Sequence, residues 1–300
     1  MKRIIMAAFI ISVGNKTYAQ LSENLFSFNY GLAPIGHDDI DFYKTEFKFN
    51  IPMKLKKGIL IHSVGFDNYR FNYTKDFSFS TDNISKLYDI NYGLKHILPV
   101  AKTWLLATNA KVAIVSNLTN TINANDLLLT GDLLLTKIFG TAEKQEALTL
   151  GVSYTTITGK PKVLPTVSYA KQINDKLSFG IGFPKTFADY KISDISSIQS
   201  VFLVDGFYAN LNNEIGINPT TTAEKASFSS TSLGLEYNYM MDDFWTINFK
   251  GGYALSNNHK LLNNDAATVY NFNITSKPFF SAGITFNIKK QSKKINYEKQ

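Results

Sequence analysis

The sequence predicts an all-β chain that closes into a transmembrane antiparallel up-and-down β-barrel of about fourteen strands, a size within the range that single-chain membrane barrels use. Three observations lead there. Across 278–289, Phe280, Ala282, Ile284, Phe286 and Ile288 share one face of an extended strand, and Ser281, Gly283, Thr285 and Asn287 share the other. One purely apolar face opposite a small polar one suits lipid outside and a wet interior, whereas a soluble β-sandwich should turn a polar face outward. The chain also holds 23 Phe and 16 Tyr, although its mean hydropathy is only −0.09. Alternating apolar and polar residues give that average. Finally, no run of about eighteen apolar residues is present to form a transmembrane helix.

Taken in order, 25–33 is the first strand and 36–41, Gly-His-Asp-Asp-Ile-Asp, a turn-rich connector. Strand 42–53 puts Tyr43, Thr45, Phe47, Phe49, Ile51 and Met53 outward, with Lys44, Glu46, Lys48 and Asn50 opposite. A basic turn at 54–58 leads into strand 59–67, a polar aromatic connector at 69–85 and strand 86–97. The turn 98–102 opens strand 103–116, with Lys111 on its less apolar face, and 117–125 is an Asn/Thr-rich loop. Strand 126–138 sets Leu127, Leu129, Leu133 and Leu135 against Thr130, Asp132 and Thr136. Strands 147–157 and 163–173 follow, joined by a compact turn. The segment 177–210 reads as a strand to 183, a bend at Pro184, a strand 185–193 and a weakly periodic strand 197–210, in which Asp205 faces inward. If that segment is over-divided, twelve strands remain. Residues 211–227 read as a long Asn/Thr-rich loop. Strand 228–241 faces Glu236 inward, and strand 244–256 faces Lys250 inward. Loop 257–277 leads into the closing strand, with Val269–Ile274 as an alternative extension of that strand. Short turns and long loops therefore fall at opposite ends, as in membrane barrels. Trp104 and Trp245 begin strands at the short-turn end, where an aromatic girdle belongs.

Residues 1–19 read as a secretory signal: Lys2 and Arg3, an apolar stretch, then Thr17-Tyr18-Ala19 before cleavage. The barrel then occupies 20–288, and 289–300 forms a basic tail on the periplasmic side. The formal charge of +7 sits at these ends, in Lys2, Arg3 and Lys16 and in Lys289, Lys290, Lys293, Lys294 and Lys299 against Glu298. The body 20–288 is neutral by count and holds Arg70 as its one arginine, so a nucleic-acid partner is set aside. The absence of cysteine excludes a disulfide framework and a lipoprotein anchor.

Candidate chemistry is sparse. His37 with Asp38, Asp39 and Asp41 is a solvated turn or a surface cation site. His62 and Ser63 are adjacent in a strand and point to opposite faces, so they form no nucleophile–base pair. His96 and His259 lie near strand or loop ends without a recognisable partner. No phosphate cradle or metal-spaced cluster appears; no catalytic residue, metal or cofactor is assigned, and the chain is not read as an enzyme. The inward charges Lys44, Glu46, Lys48, Lys111, Asp132, Glu236 and Lys250 form the candidate lumen lining. They either pair across strands and fill the interior or line a narrow aqueous path.

Ser281, Gly283, Phe286 and Ile288 resemble the closing-strand insertion signal of outer-membrane barrels, which implies barrel-assembly machinery as a partner during insertion. With Thr17-Tyr18-Ala19-Gln20, Gly182-Phe183-Pro184 and Asp205-Gly206-Phe207-Tyr208, the closing strand makes the whole mature chain resemble uncharacterised outer-membrane β-barrel families, domains of unknown function, from Bacteroidota-type envelopes. The resemblance implies an outer-membrane location, lipid contact and no particular reaction. The expectation is a monomeric, passive channel or transporter for an unidentified solute. A structural or partner-binding barrel is the alternative, and a lipid-modifying enzyme comes third.

Overall fold

A strand whose side chains alternate strictly between polar and apolar can be satisfied on both faces only where water and lipid lie on opposite sides of one sheet. The computed structural model describes residues 24–33, 40–140 and 145–288; the leader, the 289–300 tail, and His37, Asp38 and Asp39 lie outside the described residues. The strands are β1 (Phe26–Ala33), β2 (Ile40–Lys54), β3 (Ile59–Tyr73), β4 (Lys86–Ala101), β5 (Trp104–Ser116), β6 (Leu127–Gly140), β7 (Gln145–Thr155) and β8 (Lys162–Gln172). They continue as β9 (Leu177–Phe183), β10 (Lys185–Lys191), β11 (Ser196–Asn218), β12 (Thr221–Met240), β13 (Trp245–Leu262), β14 (Thr268–Asn271) and β15 (Lys277–Phe286). Consecutive strands from β1 to β13 pair antiparallel, β13 pairs with β15, and β15 pairs with β1. The ring is thereby closed with fourteen strands, while β14 adds only to the far end of β13. Closure leaves no free sheet edge along the lower half of the ring, where β9 and β10 join β8 to β11.

The ladder fixes which face each residue takes. Leu129, Val163 and Ile181 point outward and are 67%, 69% and 60% exposed, as a lipid-facing band requires. Trp245 packs on Phe286 with ring centroids 4.9 Å apart, and the Lys137 ammonium lies 5.3 Å from the Trp104 ring, both at the short-turn end. Inside, hydroxyls bridge neighbours: Thr136 to Thr149 and Ser153 to Thr166, each at 2.8 Å. A Cβ at Gly283 would collide with the amide oxygens of Asn29 and Asn248, so the closing strand needs glycine where two neighbouring strands turn amides onto it.

Around Pro184 the two expected strands are present and pair with each other. Pro184 marks a complete reversal: β9 and β10 form a hairpin of seven residues a side, closed by the Thr186 hydroxyl, which bonds both the N–H and the carbonyl of Gly182 at 3.0 Å. Three other stretches differ from the sequence expectation, the first being 68–73, which continues β3 where a connector was expected. Residues 211–227 are strand, because β11 and β12 run on to a tight turn between Asn218 and Thr221. The 257–277 connector likewise contains the end of β13 and all of β14.

The long β11–β12 hairpin explains the filling of the barrel. Beyond Val204, whose N–H still bonds the Pro184 carbonyl at 3.1 Å, β11 has no ladder partner on that side among the described residues until Asn210 meets Ser116 of β5 in a parallel bridge. It crosses the mouth and brings Phe207, Ala209, Leu211, Ala223, Ala226 and Phe228 against Tyr69, Phe71, Leu87 and Val115, all of them buried. A buried aromatic core therefore closes the long-loop end. Phe207 lies 4.3 Å from Tyr69 between ring centroids, and Phe71 stacks on His259 at 4.2 Å.

Candidate functional site: the charged lumen

Beneath that core the inward positions become ionic. Lys44 on β2 reaches Asp205 on β11 at 3.1 Å and Glu46 on its own strand at 2.8 Å. Lys44 and Asp205 are brought together only by closure of the barrel, since they are 161 residues apart in sequence. Lys44 also lies 5.3 Å from the Tyr69 ring, at the lower edge of the aromatic core. Register then carries the charge round the wall: Glu46 is opposite Asp67, and Asp67 is opposite Asp89. Lys111 pairs with Asp89 at 3.1 Å, and Asn109 donates to Asp132 at 3.0 Å. These groups line a cavity of about 340 Å³ whose walls carry five carboxylates (Glu46, Asp67, Asp89, Asp132, Asp205) and two lysines (Lys44, Lys111). Both lysines are held by acids, while Asp67 is met by the Tyr69 hydroxyl at 3.4 Å and Asp132 by the Asn109 amide. Like charges this close favour a cation among them.

A second, wider cavity of about 610 Å³ occupies the short-turn end, lined by Asp189, Glu236, Asn238, Asn248 and Thr285 among others. Glu236 stands directly opposite Lys250 in the β12–β13 ladder and pairs with it at 2.8 Å. Lys48 lies one inward position below Glu46, opposite Gly65. Six of the seven charges singled out from the sequence fall into two groups, and Lys48 lines neither cavity. Lys44, Glu46, Lys111 and Asp132 share the mid-barrel cavity, and Glu236 with Lys250 belongs to the lower one.

Asp67, Asp89 and Asp205 were missed as a set with Lys44. Ending the third strand at Asp67 hid its inward partners, although counting by twos through Tyr69 and Phe71 would have kept the register. Asp205 was legible only as an inward residue in a weakly periodic strand.

The histidines find structural partners. Nδ1 of His259 donates to the Ser227 carbonyl at 3.2 Å, which leaves Nε2 to accept from the Tyr73 hydroxyl at 2.7 Å, so this fully buried ring is a neutral strut of the mouth. His62 meets the Tyr92 hydroxyl on the outer face at 2.6 Å, while Ser63 bonds Asn50 at 2.6 Å on the inner one. Among the described residues no cluster of three or more His, Asp or Glu side chains has metal-holding geometry.

The crossing of β11 is fastened by a second buried network. Asp126 accepts from the side chain of Asn210 at 2.7 Å, from the side chain of Asn212 at 3.1 Å and from the Asn123 N–H at 2.8 Å. Lys225 in turn donates to Asn210 at 2.7 Å. Every group here is polar and partnered, as burial demands.

Comparison with known proteins gives a family and little more. No curated protein matches the chain in sequence. Among solved structures, the NanC porin is 10% identical with a TM-score of 0.41, covering 88% of this chain and 100% of that one. The KdgM porin is 7% identical with a TM-score of 0.36, covering 88% of this chain and 99% of that one. A Pseudomonas aeruginosa FadL homologue is 10% identical with a TM-score of 0.31, covering 88% and 89%. Likenesses this distant carry nothing about solute or mechanism. The family model that matches does so over residues 36–287, nearly the whole barrel, and the chain belongs to that family, described as Domain of unknown function (DUF6268).

Proposed function

We propose that this protein is an outer-membrane channel or transporter that passes a small solute passively, with its short turns in the periplasm and its long loops outside the cell. The observation that carries the reading is the sequence of fillings along the barrel axis. A wide polar vestibule lies at the short-turn end, a charged cavity at mid-depth and an aromatic core across the mouth. A barrel whose only task was to anchor loops would gain nothing from a hollow acidic middle, because buried charges cost free energy unless they are paired, and here five carboxylates share two lysines. The signal at 1–19, insertion by barrel-assembly machinery through Ser281, Gly283, Phe286 and Ile288, and a monomeric state complete the proposal, which assigns no reaction. The plugged mouth favours one alternative, a structural barrel without transport. Planar-bilayer recording separates the two. Steps of ion current from the purified protein support the channel; a barrel that inserts, shifts its gel mobility on boiling and never conducts supports the structural reading.

A further inference from the structure

We propose that the barrel wall is open at the side between β8 and β11, and that this opening admits small amphiphiles with a cationic head and an apolar body. The inference rests on the channel reading and adds a route and a solute class to it. The β9–β10 hairpin stops half-way up the wall. β8 pairs with β9 only from Val167 downward, and β11 pairs with β10 only up to Leu203. Above the hairpin tip, no ladder joins β8 to β11 among the described residues. The break has a floor, Phe183 and Pro184, and a lintel, the 156–161 connector. That connector is tied to the far side by the Ser227 hydroxyl, which donates to the Gly159 carbonyl at 2.6 Å. It also lies so close to β11 that a Cβ at Gly206 would collide with the Ile157 carbonyl oxygen.

The mid-barrel cavity runs into this break. Most of its lining faces inward, as Thr155, Leu164 and Thr166 do, but Tyr154, Phe183 and Tyr208 line it as well, from the faces that elsewhere on β7, β9 and β11 point away from the lumen. A cavity walled from inside alone would not take in outward-facing side chains of three strands around one gap. Its two sides differ in chemistry. Glu46, Asp67, Asp89, Asp132 and the two already paired lysines stand on β2–β6, away from the break, Asp205 stands on its β11 edge, and Ile157, Leu164, Phe183 and Tyr208 lie beside it. An ammonium group would be drawn to the carboxylates and an alkyl chain to the side chains beside the break, with lipid beyond them.

The chain has no cysteine, so single cysteines report cleanly. Leu164→Cys carries a benzophenone maleimide in the full-length protein in phosphatidylcholine vesicles. Val152→Cys, on the lipid face, and Thr149→Cys, inward and lower on the same strand, are the references. Irradiation should give phospholipid adducts at 152 and 164 and none at 149, and decyltrimethylammonium, but not decyl sulfate, should suppress the adduct at 164. Thr155→Cys replaces Leu164→Cys if the latter fails to show the boiling-dependent gel shift of a folded barrel. Adducts at 152 alone overturn the side opening, and the channel reading survives if the same preparation conducts. Suppression at 164 by both detergents overturns the cationic class, and suppression by neither overturns amphiphile entry. Adducts at 164 in a barrel that never conducts overturn the channel reading on which the passage rests.

Discussion

The short-turn half and the long-loop half of the barrel share ladders but not contents. In the lower half every strand has two neighbours, and the inward side chains are Asn, Thr, Ser and paired ions. In the upper half β9 and β10 are missing, β11 and β12 overshoot, and the inward side chains are largely rings and aliphatic groups packed together. Closure is therefore a property of the lower half and plugging a property of the upper. A hairpin can leave the wall to become a plug because the hairpin before it ends early and frees its edge. If so, damage to the lower half should cost the barrel, while damage to the upper half should cost only the plug.

The largest effect belongs to the closing strand. Phe280 is 55% exposed on the outer face of β15, at the level of Gly251 in the middle of β13. Phe280→Arg places a cation in the lipid band at about 2–4 kcal/mol if it lies near the midplane, on the strand that closes the ring between β1 and β13. Assembly should fail, read as loss of the heat-modifiable band from the outer-membrane fraction. Thr285→Asp, on the same strand but facing inward opposite Thr246, should assemble normally. Equal damage from both would mean that the two faces are assigned wrongly.

In the upper half the expectation reverses. Phe207 is 2% exposed at the centre of the ring cluster, and Phe207→Ala should cost about 3–5 kcal/mol of packing. That loss falls on the plug hairpin and leaves the lower ladders untouched. The heat-modifiable band should persist while conductance rises and amides of 207–228 exchange faster. A barrel that fails to assemble would show that the two halves are not separable. Asp126→Ala is the gentler form of the same test. It leaves the Asn210 and Asn212 amides short of an acceptor, at about 1–3 kcal/mol, and should give intermittent opening instead of a steadily open mouth.

The two halves were also unequally legible in the sequence. Alternation in 42–53, 126–138, 244–256 and 278–289 specified both strand and face, because each such strand has lipid on one side and polar groups on the other. The same logic hid the plug. Residues 211–227 are rich in Asn and Thr and lack a lipid face, so local chemistry read as loop. What makes them strand is nonlocal. The side chains of Asn210, Asn212 and Lys225 are satisfied by Asp126 and by one another, and Ala209, Ala223 and Ala226 let the hairpin fit under the ring cluster. The charged cavity was half legible: period two put Lys44, Glu46, Lys111 and Asp132 inward, but Asp205 joins them only because β11 faces β2 across the lumen.

The smallest structural effect should accompany the clearest functional one. Glu236 and Lys250 are an ion pair at 2.8 Å with side chains 20% and 27% exposed, in the part of the barrel that the lower ladders hold rigid. A partly solvated pair of this kind contributes about 0–1 kcal/mol, so Lys250→Glu should leave assembly and the boiling shift unchanged. Its electrostatic consequence is larger. Glu236 already faces the vestibule with Asp189 and Asp194, and a second acid opposite it removes the cation that balanced it. Confined carboxylates raise the local concentration of cations and exclude anions. In a salt gradient the reversal potential of the variant should shift toward the cation value relative to the parent, and Lys250→Gln should fall between them. An unchanged potential in a conducting barrel would place the ion path away from β12 and β13. The vestibule would then be a blind pocket, and the route from the charged cavity would have to leave the barrel elsewhere.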